Sequence, residues 1–296
     1  MNKPNVGVVG LGSMGGGVAT SLLRAGFAVR VHDVRATVVQ SFVNRGAVAC
    51  TSPADLGAVC DVIIVLVVNA EQTEAVLFGE RGAATAMPQG SVLVLSVTVS
   101  PEYAERLGER LAERGILMID GPVSGGEVKA TAGQMTMMAS GPPEAFARCE
   151  TILSAIAEKV YRLGHVHGAA SKVKMINQLL AGVHIAAAAE AVALGIKAGV
   201  DLHVLYEVIS NSAGSSWMFQ NRVPHMLAGD YTPRSAVNIF VKDLGIVLEA
   251  GKKSTFPLPL TAAALQMFLA AAAAGHGSED DAAVVKIFPG IDLPRA

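Results

Sequence analysis

Lys174, Asn177 and Gln178 stand at i, i+3 and i+4 in the run GAASKVKMINQ, and residues at that spacing neighbour one another on a helix surface. An amine and two carboxamides grouped in this way can move a proton while holding an oxygen-rich small molecule. A lysine acts as a base only where burial or a nearby cation disfavours its ammonium form. The apolar helix surface supplies the burial and Lys242 is the candidate cation. Lys172, two residues earlier, is turned about 200 degrees to the other side of the helix.

A second constellation lies near the start of the chain. Gly10-Leu11-Gly12-Ser13-Met14-Gly15 spells G-x-G-x-x-G between an apolar run at 5–9 and a helical pattern from Ser13 to Ala25. In that strand-turn-helix setting the first glycine permits a tight turn, the second lets a pyrophosphate approach the backbone, and the third lets helix and sheet pack closely. Asp33 closes the next apolar run, 28–32, eighteen residues past Gly15. A carboxylate there accepts hydrogen bonds from ribose hydroxyls and repels a 2'-phosphate, which predicts NAD rather than NADP. Arg35 can meet such a phosphate or stand as a solvated loop charge.

Val68 ends the β-branched run 62–68, Asn69 follows it, and Thr98 follows 92–96. The carboxyl ends of parallel strands face the ligand, so all three are candidate nicotinamide or ribose neighbours, and equally suited to capping and loop polarity. The strand-like 116–120 runs into Gly121-Pro122-Val123-Ser124-Gly125-Gly126. Consecutive N–H groups beside the Ser124 hydroxyl can form a nest for a carboxylate, or an ordinary turn.

The elements that must position these groups follow from periodicity. Residues 168–199 are rich in alanine and leucine, lack proline and lie between glycines. They predict one helix of roughly 45 Å, long enough to join two domains. Runs at 135–140 and 159–164 read as the last strands of the first domain. The expected organisation is α/β: an N-terminal Rossmann-type doubly wound sheet over 1–165, a long interdomain helix over 166–199, and an all-α C-terminal domain over 200–296. That domain has helical segments at 201–211, 215–228, 235–252 and 257–275, and a capping box from Ser278 to Asp281 opens a last helix through Ile287.

Of the 296 residues, 51% are hydrophobic and 16% charged, with a net charge of -2. The absence of a basic cluster argues against nucleic acid, and polar residues recurring along the long helix argue against a membrane span. The apolar surplus implies association of like chains, as a homodimer or homotetramer. Cys50, Cys60 and Cys149 form no CxxC pair and indicate neither a disulfide framework nor a metal site, which suits the cytoplasm.

Together, GLGSMG at 10–15, DGPVSGG at 120–126, GAASKVKMINQ at 168–178 and KDLGIVLEAG at 242–251 resemble the motifs of the β-hydroxyacid dehydrogenase family over essentially the whole chain. The family usually carries alanine at position 121 and often asparagine at 178. The resemblance implies Lys174 as the catalytic residue, Ser124, Gly125 and Gly126 at the substrate carboxylate, and Asn177 or Gln178 in substrate positioning. It also implies Lys242 near the nicotinamide. SSWMFQNR at 215–222 and DYTPRSAVNIFVKDLG at 230–245 are similar to the branch that acts on L-threonate. This implies NAD-dependent oxidation of a four-carbon sugar acid at C2. The alternatives are 3-hydroxyisobutyrate oxidation, tartronate semialdehyde reduction, and a cofactor-binding sensor without catalysis. Imine reduction is disfavoured by Lys174, because relatives with that chemistry place Asp or Tyr there. Asn211, Ser215, Ser216 and Asn238 are further candidates for polyhydroxy recognition.

Overall fold

The computed structural model describes residues 3–294 and resolves two compact units, one ending at Lys174 and the other beginning at Met175. In the first, strands β1 (Val6–Val9), β2 (Val29–His32), β3 (Val48–Ala49), β4 (Val62–Val65), β5 (Val92–Leu95) and β6 (Leu117–Asp120) form a parallel sheet in the order β3-β2-β1-β4-β5-β6. Helices α1 (Ser13–Arg24), α2 (Ala36–Val43), α3 (Pro53–Gly57), α4 (Ala70–Phe78) and α5 (Pro101–Ala112) lie between the strands in sequence. Every residue of β1, β4 and β5 is buried, as continuous β-branched runs require in a sheet covered on both faces. Each fully buried aliphatic side chain contributes about 1.5–3 kcal/mol. The strand order reverses between β1 and β4, and the crevice beyond that reversal is where open α/β sheets bind ligands.

In the first unit two features depart from expectation. The apolar run 62–68 yields a strand only to Val65, because β1 turns away at Gly10 and the ladder loses its neighbour. Strands β7 (Val123–Ser124), β8 (Met135–Ala139) and β9 (Ala157–Arg162) do not extend the main sheet but form a second, three-stranded one with β8 central. Helices α6 (Gly126–Ala132) and α7 (Pro143–Ile156) connect them. A single bridge between Asp120 and Ser140 joins the two sheets. Helix α6 packs on α1 at Gly17, where a Cβ would stand 2.5 Å from that of Ala130. The Ser21 hydroxyl donates to the Ala130 carbonyl at 2.8 Å across the same contact.

Helix α8 (Ala169–Lys197) carries the unit boundary within its first two turns. Among the described residues it alone is long and apolar enough to cross a bilayer by length and composition, and half of its most apolar window is buried inside the protein. The second unit continues with α9 (Leu202–Ser210), α10 (Trp217–Ala228), α11 (Val237–Lys253) and α12 (Pro259–Ala271). Its core joins Ile185, Ala189 and Val192 of α8 to the stacked rings of Phe240 and Phe268, 5.2 Å apart. After α12 a π turn spans Ala272–His276, and the last helical segment, Asp281–Ile287, is 3-10 rather than α. Its cap is the buried Asp280, whose carboxylate accepts from Ala282 N–H at 3.2 Å, not the expected Ser278. Asp280 also accepts from His225 and the Arg234 backbone, so tertiary hydrogen bonds select the cap.

Candidate active site

The turn after β1 leaves its backbone open to approach at Gly12. Gly12 is the N-cap of α1 and offers no side-chain cap, which leaves first-turn N–H groups without a capping acceptor. A Cβ on Gly12 would meet no protein atom within 4 Å, whereas one on Gly15 would lie 1.8 Å from the Gly10 carbonyl oxygen. Packing therefore explains the glycine at 15 but not the one at 12. An open glycine beside uncapped N–H groups at the positive end of a 12-residue helix fits a pyrophosphate. Leu11 is buried, while Ser13 and Met14 are partly exposed.

Asp33, just past β2, accepts from Leu11 N–H at 2.7 Å, so the carboxylate also pins the glycine turn. The Arg35 guanidinium forks onto it, with Nε at 2.9 Å from Oδ1 and Nη2 at 3.0 Å from Oδ2. Arg35 is thus paired with the carboxylate just past β2. Burial alone would raise the Asp33 pKa, but hydrogen bonds from the Arg35 side chain, Leu11 N–H and Arg35 N–H outweigh it and hold the pKa at about 2. Val68 is exposed, and its N–H donates to Gln72. Asn69 caps α4 by accepting from Gln72 N–H at 2.8 Å, and Thr98 is partly exposed past the end of β5.

In the glycine-rich turn after β6, Ser124 sits on the short β7, opposite Thr136. Gly125 and Gly126 take φ values of 135° and 73°, a region that side-chain-bearing residues avoid. Lys174 is 7% exposed, and its Nζ donates to the Val123 carbonyl at 2.8 Å, one residue from Ser124. Lys172 faces elsewhere and pairs with Glu105 at 3.1 Å. The first unit therefore brings together a buried amine and a serine-glycine turn, which is the arrangement needed to deprotonate a hydroxyl next to a bound carboxylate.

In the second unit, the Asn177 amide donates to Gln178 Oε1 at 3.0 Å, and Gln178 Nε2 donates to Asp243 Oδ2 at 2.5 Å. Lys242 Nζ lies 2.6 Å from Asp243 Oδ1 in an ion pair. Asp243 is 1% exposed and was not singled out from sequence. The available signal was its place on a buried stripe with Phe240, Leu244 and Val247, where an unpartnered charge would be costly. Ser216 caps α10, Ser215 accepts from Gln220, and the Asn211 amide donates to the Glu207 carbonyl, so these three have local structural partners. Asn238 packs against Gly277. Among the described residues no cluster of three or more His, Cys, Asp or Glu could hold a metal ion.

A family model described as the NAD binding domain of 6-phosphogluconate dehydrogenase matches residues 5–164. A second, described as NAD-binding of NADP-dependent 3-hydroxyisobutyrate dehydrogenase, matches 168–288. L-threonate dehydrogenase from Cupriavidus necator is 66% identical over 290 residues, covering 98% of each chain. The protein of the same name from Escherichia coli K12 is 50% identical over 293 residues, covering 99% of this chain and 97% of its own. A crystal structure described as 3-hydroxyisobutyrate dehydrogenase from Salmonella typhimurium superposes with a TM-score of 0.93 at 50% identity, covering 97% of this chain and 100% of that one.

Proposed function

Because the chain belongs to the β-hydroxyacid dehydrogenase family, we propose that it oxidises L-threonate at C2 to the 2-oxo acid, with NAD+ as the acceptor. The observation that carries this reading is the buried Lys174 amine, hydrogen-bonded 2.8 Å away at Val123, next to the Ser124 turn. It occurs in a chain 66% identical to an L-threonate dehydrogenase.

The first turn of α1 and Gly12 hold the pyrophosphate, and Asp33 receives the adenosine ribose hydroxyls. Its negative charge disfavours a 2'-phosphate, which supports NAD over NADP. Leu11, Ser13, Met14, Val68, Asn69 and Thr98 line the rest of the cofactor path. Bound NAD+ supplies the hydride acceptor. The Ser124 hydroxyl and the N–H groups of Gly125 and Gly126 take the substrate carboxylate, fixing the hydroxyl-bearing carbon. Lys174 receives the hydroxyl proton as the carbonyl forms, and in the reverse direction returns it. The roles of Asn177 and Gln178 in substrate positioning, and of Lys242 near the nicotinamide, rest on the family resemblance.

A panel of three- and four-carbon hydroxyacids assayed with NAD+ tests the reading. L-threonate should give the highest kcat/KM. A higher value for 3-hydroxyisobutyrate would favour the second reading, suggested by the description of the Salmonella typhimurium structure. NADH binding without turnover of any hydroxyacid would favour the sensor.

We further assign the protein to the cytoplasm, supported by three free thiols and use of NAD. Self-association as a homodimer or homotetramer is supported by apolar side chains left uncovered on the second unit. Leu194 and Leu260 are 68% and 69% exposed, and no residue of α9 is buried although Val204 and Val208 lie on it.

A further inference from the structure

Asp120 ends β6 with its side chain fully buried. Its Oδ2 accepts from Gly168 N–H at 2.9 Å and from Ser171 N–H at 3.0 Å, and its Oδ1 accepts from the Ser171 hydroxyl at 2.7 Å. Beside it the Ser140 hydroxyl accepts from Ala170 N–H at 3.1 Å. The first N–H groups of α8, which no residue of the helix itself can satisfy, are thus capped from β6 and the end of β8. Three residues beyond Asp120 the Val123 carbonyl accepts from Lys174, and Lys174 is three residues beyond Ser171. One strand-and-turn segment therefore grips α8 twice, at its first turn and at the lysine amine. The turn that begins with Ser124 follows directly on the second grip.

We propose that Asp120 is a positioning residue for the reaction: its carboxylate fixes the first turn of α8 against the Ser124 turn and so sets where the Lys174 amine stands. The claim rests on Lys174 as the proton-transfer group. A misplacement of about an ångström at such a group costs on the order of a hundredfold in rate, while the cofactor turn after β1 shares no hydrogen bond with Asp120.

The test compares Asp120→Ala, Asp120→Asn, Ser171→Ala and Lys174→Met, each assayed below its own melting temperature, by kcat, KM and NADH affinity. Asp120→Ala should lower kcat by about tenfold or more with NADH affinity unchanged. Asp120→Asn keeps an acceptor for the Gly168 and Ser171 N–H groups and should recover most of that loss. If Asp120→Ala does not fold, Ser171→Ala removes only the hydroxyl hydrogen bond and should still lower kcat several-fold without changing NADH affinity. A kcat equal to the parent in the folded variants overturns the proposal, as does a parallel loss of NADH affinity, which would make Asp120 a general support of the unit. An active Lys174→Met variant would overturn the lysine reading and the positioning role with it. An inactive Lys174→Met beside fully active Asp120 variants would overturn the positioning role alone.

Discussion

Replacing Gly12 and Gly15 separately by alanine should separate ligand binding from folding within one turn. Gly12 has φ -67° and ψ -170°, which alanine adopts freely, and its Cβ would meet no protein atom within 4 Å. Alanine at an N-cap in place of glycine costs no more than about 1 kcal/mol, so Gly12→Ala should melt close to the parent. The same methyl occupies the surface assigned to the pyrophosphate, and a tenfold loss of affinity corresponds to about 1.4 kcal/mol; at least that loss is expected. Gly15→Ala places a Cβ 1.8 Å from the Gly10 carbonyl oxygen, so the turn and helix must separate by more than an ångström. Overpacking of that kind costs about 1–3 kcal/mol. At about 2–4 °C per kcal/mol in a unit of this size, the melting temperature should fall by several degrees without ligand. Thermal unfolding with and without NADH, together with NADH fluorescence titration, reads both quantities. Parent-like NADH affinity in Gly12→Ala, or a parent-like melting temperature in Gly15→Ala, would refute the reasoning.

Asp33→Asn should release Arg35 and raise the kcat/KM ratio of NADP+ over NAD+ by about tenfold; an unchanged ratio would contradict the role of the carboxylate. Its pKa of about 2 lies below the usual 3.8, so the stabilisation is complete above the unfolded value and is lost only as pH falls through the folded one. Cofactor preference measured from pH 5 to 9 should therefore show no inflection from Asp33. In the second unit, the Arg222 guanidinium pairs with the fully buried Asp281, whose carboxyl burial pushes upward. Arg222→Ala strands that charge and should cost about 3–5 kcal/mol in denaturant unfolding, with Arg222→Met/Asp281→Asn costing less. Leu194→Glu should lower the mass found by light scattering if the uncovered apolar side chains meet another copy, and an unchanged mass would contradict that assignment.

The parts of the fold governed by local pattern were legible in the sequence. Continuous Val, Ile and Leu runs marked β1, β4 and β5, the glycine spacing marked the turn after β1, and the glycine-bracketed alanine run marked α8 to within a residue or two. What remained hidden depends on contacts distant in sequence. The two-residue β3 carries no periodicity, and β7 to β9 resemble any other strands until their partners are known. Asp120 reads as the last residue of a strand, and only its hydrogen bonds to residues about fifty positions away reveal a helix cap. Asp243 is hidden in the same way, since its partner Gln178 comes from another helix, 65 positions away. At Arg35 the sequence left two uses open, and the structure shows the guanidinium forked onto Asp33.

Proton transfer by Lys174 in NAD-dependent oxidation of L-threonate is tested most directly by Lys174→Met assayed beside the parent for NADH formation and NADH binding. NADH affinity should stay close to the parent and turnover should fall by at least about a hundredfold. Turnover within about tenfold of the parent would contradict it, because general acid–base catalysis contributes 10²–10⁴-fold.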